Sequence, residues 1–182
     1  MASVDAVTPA DGGSGARASY RVAGPAARFI FRGADAAVAT ASAAFGTPLL
    51  LDPCRASQSV ARIALWVGPD EWLLIAPRLE GELVASVLAK ALGDTAHSLV
   101  DVSDRNCALL VSGPAVEDVL SAGCPLDLDL AAFPVGMCTR TLFAKADIVL
   151  WRTAATEFRI EVARSFRPYL EGMLELAVRD NG

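Results

Sequence analysis

His97, Asp101 and Ser103 carry the three side-chain types of a hydrolytic triad within one short stretch. In such a device a histidine takes the serine proton while an acid orients the ring. Here the order and spacing match no nucleophile elbow, and no G-x-S-x-G occurs. The three read instead as solvated or capping residues at a strand end, with His97 a surface or structural histidine. Asp127 and Asp129 offer two carboxylates, the minimum for general acid-base work. They alternate with leucines, as one strand face or a solvated loop edge would produce. Gly12-Gly13-Ser14-Gly15 lacks the strand-to-helix setting that a phosphate loop requires, and no G-x-G-x-x-G is present. Flavin or nucleotide binding by this chain alone is therefore not expected. Cys54, Cys107, Cys124 and Cys138 form no CxxC pair and are accompanied by a single histidine, which argues against zinc. They read as reduced, buried small side chains. No catalytic, cofactor-binding or metal-binding residue is predicted.

The totals narrow the class further. A chain of 182 residues fits one domain, or two small units sharing a core. Its 16 basic residues are scattered among 21 acidic ones, for a net charge of −5, so no nucleic-acid footprint is present. The mean hydropathy is high at +0.41, much of it from alanine, yet no apolar run approaches the roughly 18 residues of a membrane span. A chain this apolar is expected to share surface with a partner. Asp5 and the lack of a basic lead into an apolar run argue against a secretory signal, so a cytoplasmic location is expected.

The elements that must position these residues follow from punctuation and periodicity. Residues 1–20, rich in Ala, Gly and Ser, predict a flexible tail. Arg28–Arg32 predicts a strand, and Asp35 is placed to cap a helix through Phe45 that Gly46 and Pro48 end. Residues 53–59 read as a loop. Ala61–Val67 and Trp72–Ala76 predict a hairpin, because Pro69 presets its turn. Glu80–Leu92 predicts the best helix, with Leu83, Val84, Val87, Leu88, Ala91 and Leu92 on one stripe. Strands are predicted at His97–Val102 and Cys107–Ser112. A helix then runs from Gly113 to Gly123, started by Pro114 and closed by a left-handed Gly123. Leu126–Pro134 reads as a connector. A second hairpin, Thr139–Lys145 with Ile148–Arg152, precedes a strand at Phe158–Ala163. A last helix from Pro168 carries Leu170, Met173, Leu174 and Ala177. Trp66, Trp72 and Trp151 are placed in the sheet core, one of them available to a partner contact.

The order of elements repeats. Phe31-Arg32-Gly33 matches Val111-Ser112-Gly113, and Gly46-Thr47-Pro48 matches Gly123-Cys124-Pro125. Trp66 and Trp72 match Trp151 and Phe158, and the helix from Glu80 matches that from Arg167. The expected fold is α+β: two similar units, about 21–93 and 97–182, each with helices on one face of an antiparallel sheet.

Three segments carry a family resemblance: Trp66–Pro77 (WVGPDEWLLIAP), Leu99–Arg105 (LVDVSDR) and Gly123–Arg152. Together they resemble the gamma-subunit family of heterotetrameric sarcosine oxidases, over about Arg28 to Leu176. More distantly, D-V-S before a strand, Gly-Pro and a helix is similar to the folate-binding fold of glycine-cleavage aminomethyltransferases. The resemblance implies that Leu150 and Trp151 stand where those transferases place acids, with Asp147 out of register. It further implies a chain without its own cofactor, and a cytoplasmic assembly with alpha, beta and delta subunits that carry FAD, FMN, NAD and zinc and use tetrahydrofolate. The whole would oxidise sarcosine to glycine, releasing hydrogen peroxide and formaldehyde or methylene-tetrahydrofolate. Two other readings stand beside it: a stand-alone folate or small-ligand binding module, and the matching subunit of a related N-methyl amine oxidase.

Overall fold

A computed structural model describes Gly13 and residues 17–181. The described chain forms two compact units. One is Pro25–Ser103; the other joins 17–24 to 104–181. The predicted tail therefore falls outside the described residues at 1–12 and 14–16, and Ser19 and Tyr20 belong to a strand.

In the first unit, β2 (Ala26–Gly33), β3 (Ala56–Gln58), β4 (Ile63–Gly68), β5 (Glu71–Pro77) and β6 (His97–Asp101) form an antiparallel sheet in the order β3-β4-β5-β2-β6. Helices α1 (Asp35–Phe45) and α2 (Gly81–Leu92) pack on one of its faces. Phe29, Phe31, Trp72, Leu74 and Ala76 meet Val38, Ala41, Phe45, Val84 and Leu88 there. Each fully buried large apolar side chain contributes about 1.5–3 kcal/mol. The predicted hairpin forms, and Arg32 locks it by donating to both oxygens of Asp70 at 2.8 and 3.0 Å.

In the second unit, β1 (Ser19–Val22), β7 (Asn106–Ser112), β8 (Cys138–Phe143), β9 (Ala146–Ala154) and β10 (Glu157–Ala163) form a sheet in the order β1-β7-β10-β9-β8. Helices α3 (Val116–Ser121) and α4 (Arg167–Asn181) complete it. Leu109, Val111, Phe158, Ile160 and Val162 meet Val119, Leu120, Leu170 and Leu174 in its core.

The predicted duplication holds in the pairing of the central strands. Phe31 pairs with both Trp72 and Leu99, and Val111 pairs with both Phe158 and Tyr20. One match needs correction. Trp66 pairs with Trp72 as Arg152 pairs with Phe158, so Arg152 is the counterpart of Trp66. Trp151 pairs with Arg159 and matches Leu65, on the opposite side of its strand.

Other departures have local causes. The joint expected at 93–97 lies further on, because β6 hydrogen-bonds to β2 and closes the first sheet. The predicted loop at 53–59 holds the short edge strand β3. Asp35 sits in the first turn of α1, with Ala34 at the cap position and no side-chain cap bond. On α2 the expected stripe is two adjacent ridges, and only Val84, Leu88 and Leu92 face the sheet. Leu83, Val87 and Ala91 are left exposed. The helix predicted from Gly113 to Gly123 shrinks to α3. Gly113 adopts φ +130°, a conformation open to glycine and strained for other residues, and so cannot begin a helix. Gly123 is not left-handed; the Phe143 ring lies 2.9 Å from where its Cβ would stand, so its smallness is what the site requires.

Candidate functional site

The triad residues are not brought together. His97 and Asp101 lie at opposite ends of β6, about 13 Å apart at 3.3 Å per residue. His97 stacks on Phe31, and its Nδ1 lies 2.7 Å from the Thr95 carbonyl oxygen, which can only accept, so Nδ1 carries a proton. Ser103 is buried. Its Oγ accepts the Arg28 N–H at 2.9 Å, while its own N–H donates to the Asp101 carboxylate at 2.8 Å. This constellation is a strand terminus, with Ser103 buried rather than solvated.

Asp127 and Asp129 spend their carboxylates on the chain just ahead. Asp127 accepts the Asp129 N–H at 3.0 Å, and Asp129 accepts the Ala131 N–H at 2.8 Å. Such turns need no regular element around them. They fold the connector between α3 and β8 so that Leu128 and Phe133 point into the core. Cys107, Cys124 and Cys138 are buried, Cys54 is half-buried, and none of the four is in a disulfide. Among the described residues, no group of three metal-ligating side chains converges.

The strongest constellation is one the sequence reading passed over. Arg152 ends an apolar run on β9 and is almost fully buried. A buried guanidinium must spend its donors on acceptors. One nitrogen donates to the carbonyls of Leu128 and Phe133 at 2.9 and 3.0 Å. The other donates to the Glu117 carboxylate and the Ala155 carbonyl. The guanidinium carbon lies 4.8 Å from the centre of the Phe158 ring. The Arg152 main chain also exchanges hydrogen bonds with Gly136 and Met137. Arg152 thus ties the connector to β9, β10 and α3 through one side chain. The available signal was a permanent charge at an inward-facing strand position, next to the apolar Ile148-Val149-Leu150-Trp151. Chemically the cluster holds a loop; it presents no nucleophile.

Arg62 does a smaller version of this in the first unit. It donates to the Phe45 carbonyl at 2.6 Å, pairs with Glu80 at 3.1 Å and covers the Phe45 ring. The second unit also buries an ion pair on the face opposite its helices, where Arg159 meets Glu161 at 2.9 Å. The first unit has Leu73 and Ile75 at the matching positions.

The doubled α+β arrangement is that of the aminomethyltransferase fold. Aminomethyltransferase T of the glycine cleavage system from Bartonella henselae overlays 91% of this chain with a TM-score of 0.68, covering 50% of that chain at 17% identity. Within this class the chain belongs to the sarcosine oxidase gamma-subunit family, whose model matches residues 32–179. The sarcosine oxidase gamma subunit of Corynebacterium sp. (strain P-1) is 42% identical over 102 residues, 56% of this chain and 49% of that protein. Its counterpart from an Arthrobacter species is 44% identical over 89 residues, 49% of this chain and 43% of that protein. The chain thus spans about half the length of the curated relatives it matches. A chain of the heterotetrameric sarcosine oxidase from Corynebacterium sp. U-96 overlays 92% of it with a TM-score of 0.85 at 28% identity, covering 87% of that chain.

Proposed function

We propose that this chain is the non-catalytic structural subunit of a heterotetrameric, flavin-dependent and cytoplasmic sarcosine oxidase, bracing the larger subunits. Its partners on this reading are the alpha, beta and delta subunits, which hold FAD, FMN, NAD and zinc and use tetrahydrofolate. The assembly turns sarcosine into glycine, with hydrogen peroxide and a one-carbon product. The observation that carries the bracing role is the disposition of large side chains. Buried charges such as Arg152 are committed to internal packing, while Leu79, Leu83 and Val87 on the α2 side and Leu130 and Val135 on the Arg152-held connector stay exposed. Bare large apolar groups on a rigid frame suit contact with another protein.

The residues do not fit a folate amine. Leu150 is buried in the apolar core, Trp151 lies on the other side of β9, and Asp147 is exposed. A carboxylate within reach of the amine is what such a site needs. The deciding experiment is co-expression of the alpha, beta and delta chains with and without this one. The expected result is loss of a stable complex and of sarcosine-dependent peroxide release when it is omitted. Normal assembly and turnover without it would end the bracing reading. Micromolar binding of tetrahydrofolate to the isolated chain by titration calorimetry would favour a ligand-binding module instead.

A further inference from the structure

Two of the four edge strands, β1 and β6, are exchanged along the sequence. β1 immediately precedes β2, the first strand of the first unit, yet pairs with β7 of the second. β6 immediately precedes β7, yet pairs with β2 of the first unit. The exchange keeps register: Ser19, Tyr20, Arg21 and Val22 stand on β7 as Ser98, Leu99, Val100 and Asp101 stand on β2.

Three features show that the β1 seat is built for its occupant. First, Gly113 has φ +130°, and a Cβ there would stand 2.4 Å from the Arg17 carbonyl oxygen and 2.8 Å from the Ala18 Cα. Only glycine lets the incoming chain cross at that distance. Second, that same Arg17 carbonyl accepts the Ala115 N–H at 3.2 Å, supplying a partner at the start of α3. Third, Tyr20 is buried among Val111, Leu170 and Leu174 in the second core, where β6 places the smaller Leu99 in the first.

We infer that residues 17–22 are a clasp on which the second unit depends, although they precede the whole of the first unit in sequence. The family match covers residues 32–179, so the clasp lies ahead of the matched residues. Without it, β7 becomes an open sheet edge carrying unpaired N–H and C=O groups.

The hydrogen-bond pattern makes this testable at single amides. Ala23 donates to the Ala108 carbonyl, and Gly113 donates to the Thr156 carbonyl beyond β10. Antiparallel alternation then places the Leu110 and Ser112 amides toward β1 and the Leu109 and Val111 amides toward β10. Hydrogen exchange is compared between the full chain, a chain starting at Pro25, and full-length Gly113→Val. The expected result is exchange faster by more than about tenfold at Leu110 and Ser112 in both variants, with β2 and β5 amides of the first unit unchanged. Addition of a synthetic peptide of residues 17–24 should restore protection in the truncated chain. If the truncated chain does not fold, Gly113→Val decides. Unchanged protection of Leu110 and Ser112 in that variant overturns the inference.

Discussion

The two units present the same frame with different contents. On the helix-facing side both are apolar, with Phe31, Trp72 and Leu74 in one matched by Val111, Phe158 and Ile160 in the other. On the opposite side the first unit places Leu65, Leu73 and Ile75, and the second places Trp151, Arg159 and Glu161. All six are buried. The frame is therefore set by the row that meets the helices, while the other row is free to change chemistry. The helix-facing row itself departs at one matched position, where Trp66 packs apolar surface and Arg152 gathers carbonyls and a carboxylate. A duplicated sheet can thus turn a packing position into a loop anchor without changing its topology.

The largest expected effect comes from removing that anchor. Arg152→Leu strips the Leu128 and Phe133 carbonyls and Glu117 of their donor, and should cost about 3–5 kcal/mol in urea unfolding. Arg152→Lys should recover little, because one ammonium cannot reproduce the fork and the stacking on Phe158. A loss under about 1 kcal/mol would show that the connector holds itself. Next, the first unit's residues can be carried into the second. Arg159→Leu and Glu161→Ile should each destabilise, and the double variant should cost less than their sum by about 0.5–3 kcal/mol. Strict additivity would mean that the pair does not act as a pair. A smaller change is expected on α4, where a Cβ at Gly172 would meet nothing within 4 Å. Gly172→Ala should stabilise by about 0.5–1 kcal/mol, read as a raised melting temperature.

The smallest effect distinguishes the edge strands β1 and β6 by pH. Burial pushes the Tyr20 hydroxyl above its ordinary value of 10.0, helped by Glu171 and Glu175 and opposed by Arg167. Its neutral form is therefore favoured in the folded state. The resulting stability is fully present below pH 10 and is lost as pH rises through the raised value. Tyr20→Phe should flatten that alkaline limb in denaturant titrations at stepped pH. Leu99 on β6, at the matching position, contributes no such limb.

Much of the frame was legible in the chain. Gly-Pro-Asp punctuation located the first hairpin, alternating runs located the second, and the spacing of apolar residues located α1, α2 and α4, because these signals act over a few residues. The same local reading made α2 a single stripe and continued α3 back to Gly113. Periodicity counts apolar positions but does not say which ridge a sheet will cover. It also does not reveal that the Arg17 carbonyl will lie against Gly113.

What the sequence by itself determined is the doubled order of elements, the α+β class and the family-bearing segments. Each of these is written in short-range pattern. Only the tertiary structure decided the partners of long-range groups. It put β1 on β7 and β6 on β2, and it made Arg152 rather than Trp151 the counterpart of Trp66. It also gave Asp127 and Asp129 to their own turns. Strand partners and buried-charge partners lie tens of residues apart, and their choice is a competition among distant contacts that no local window contains.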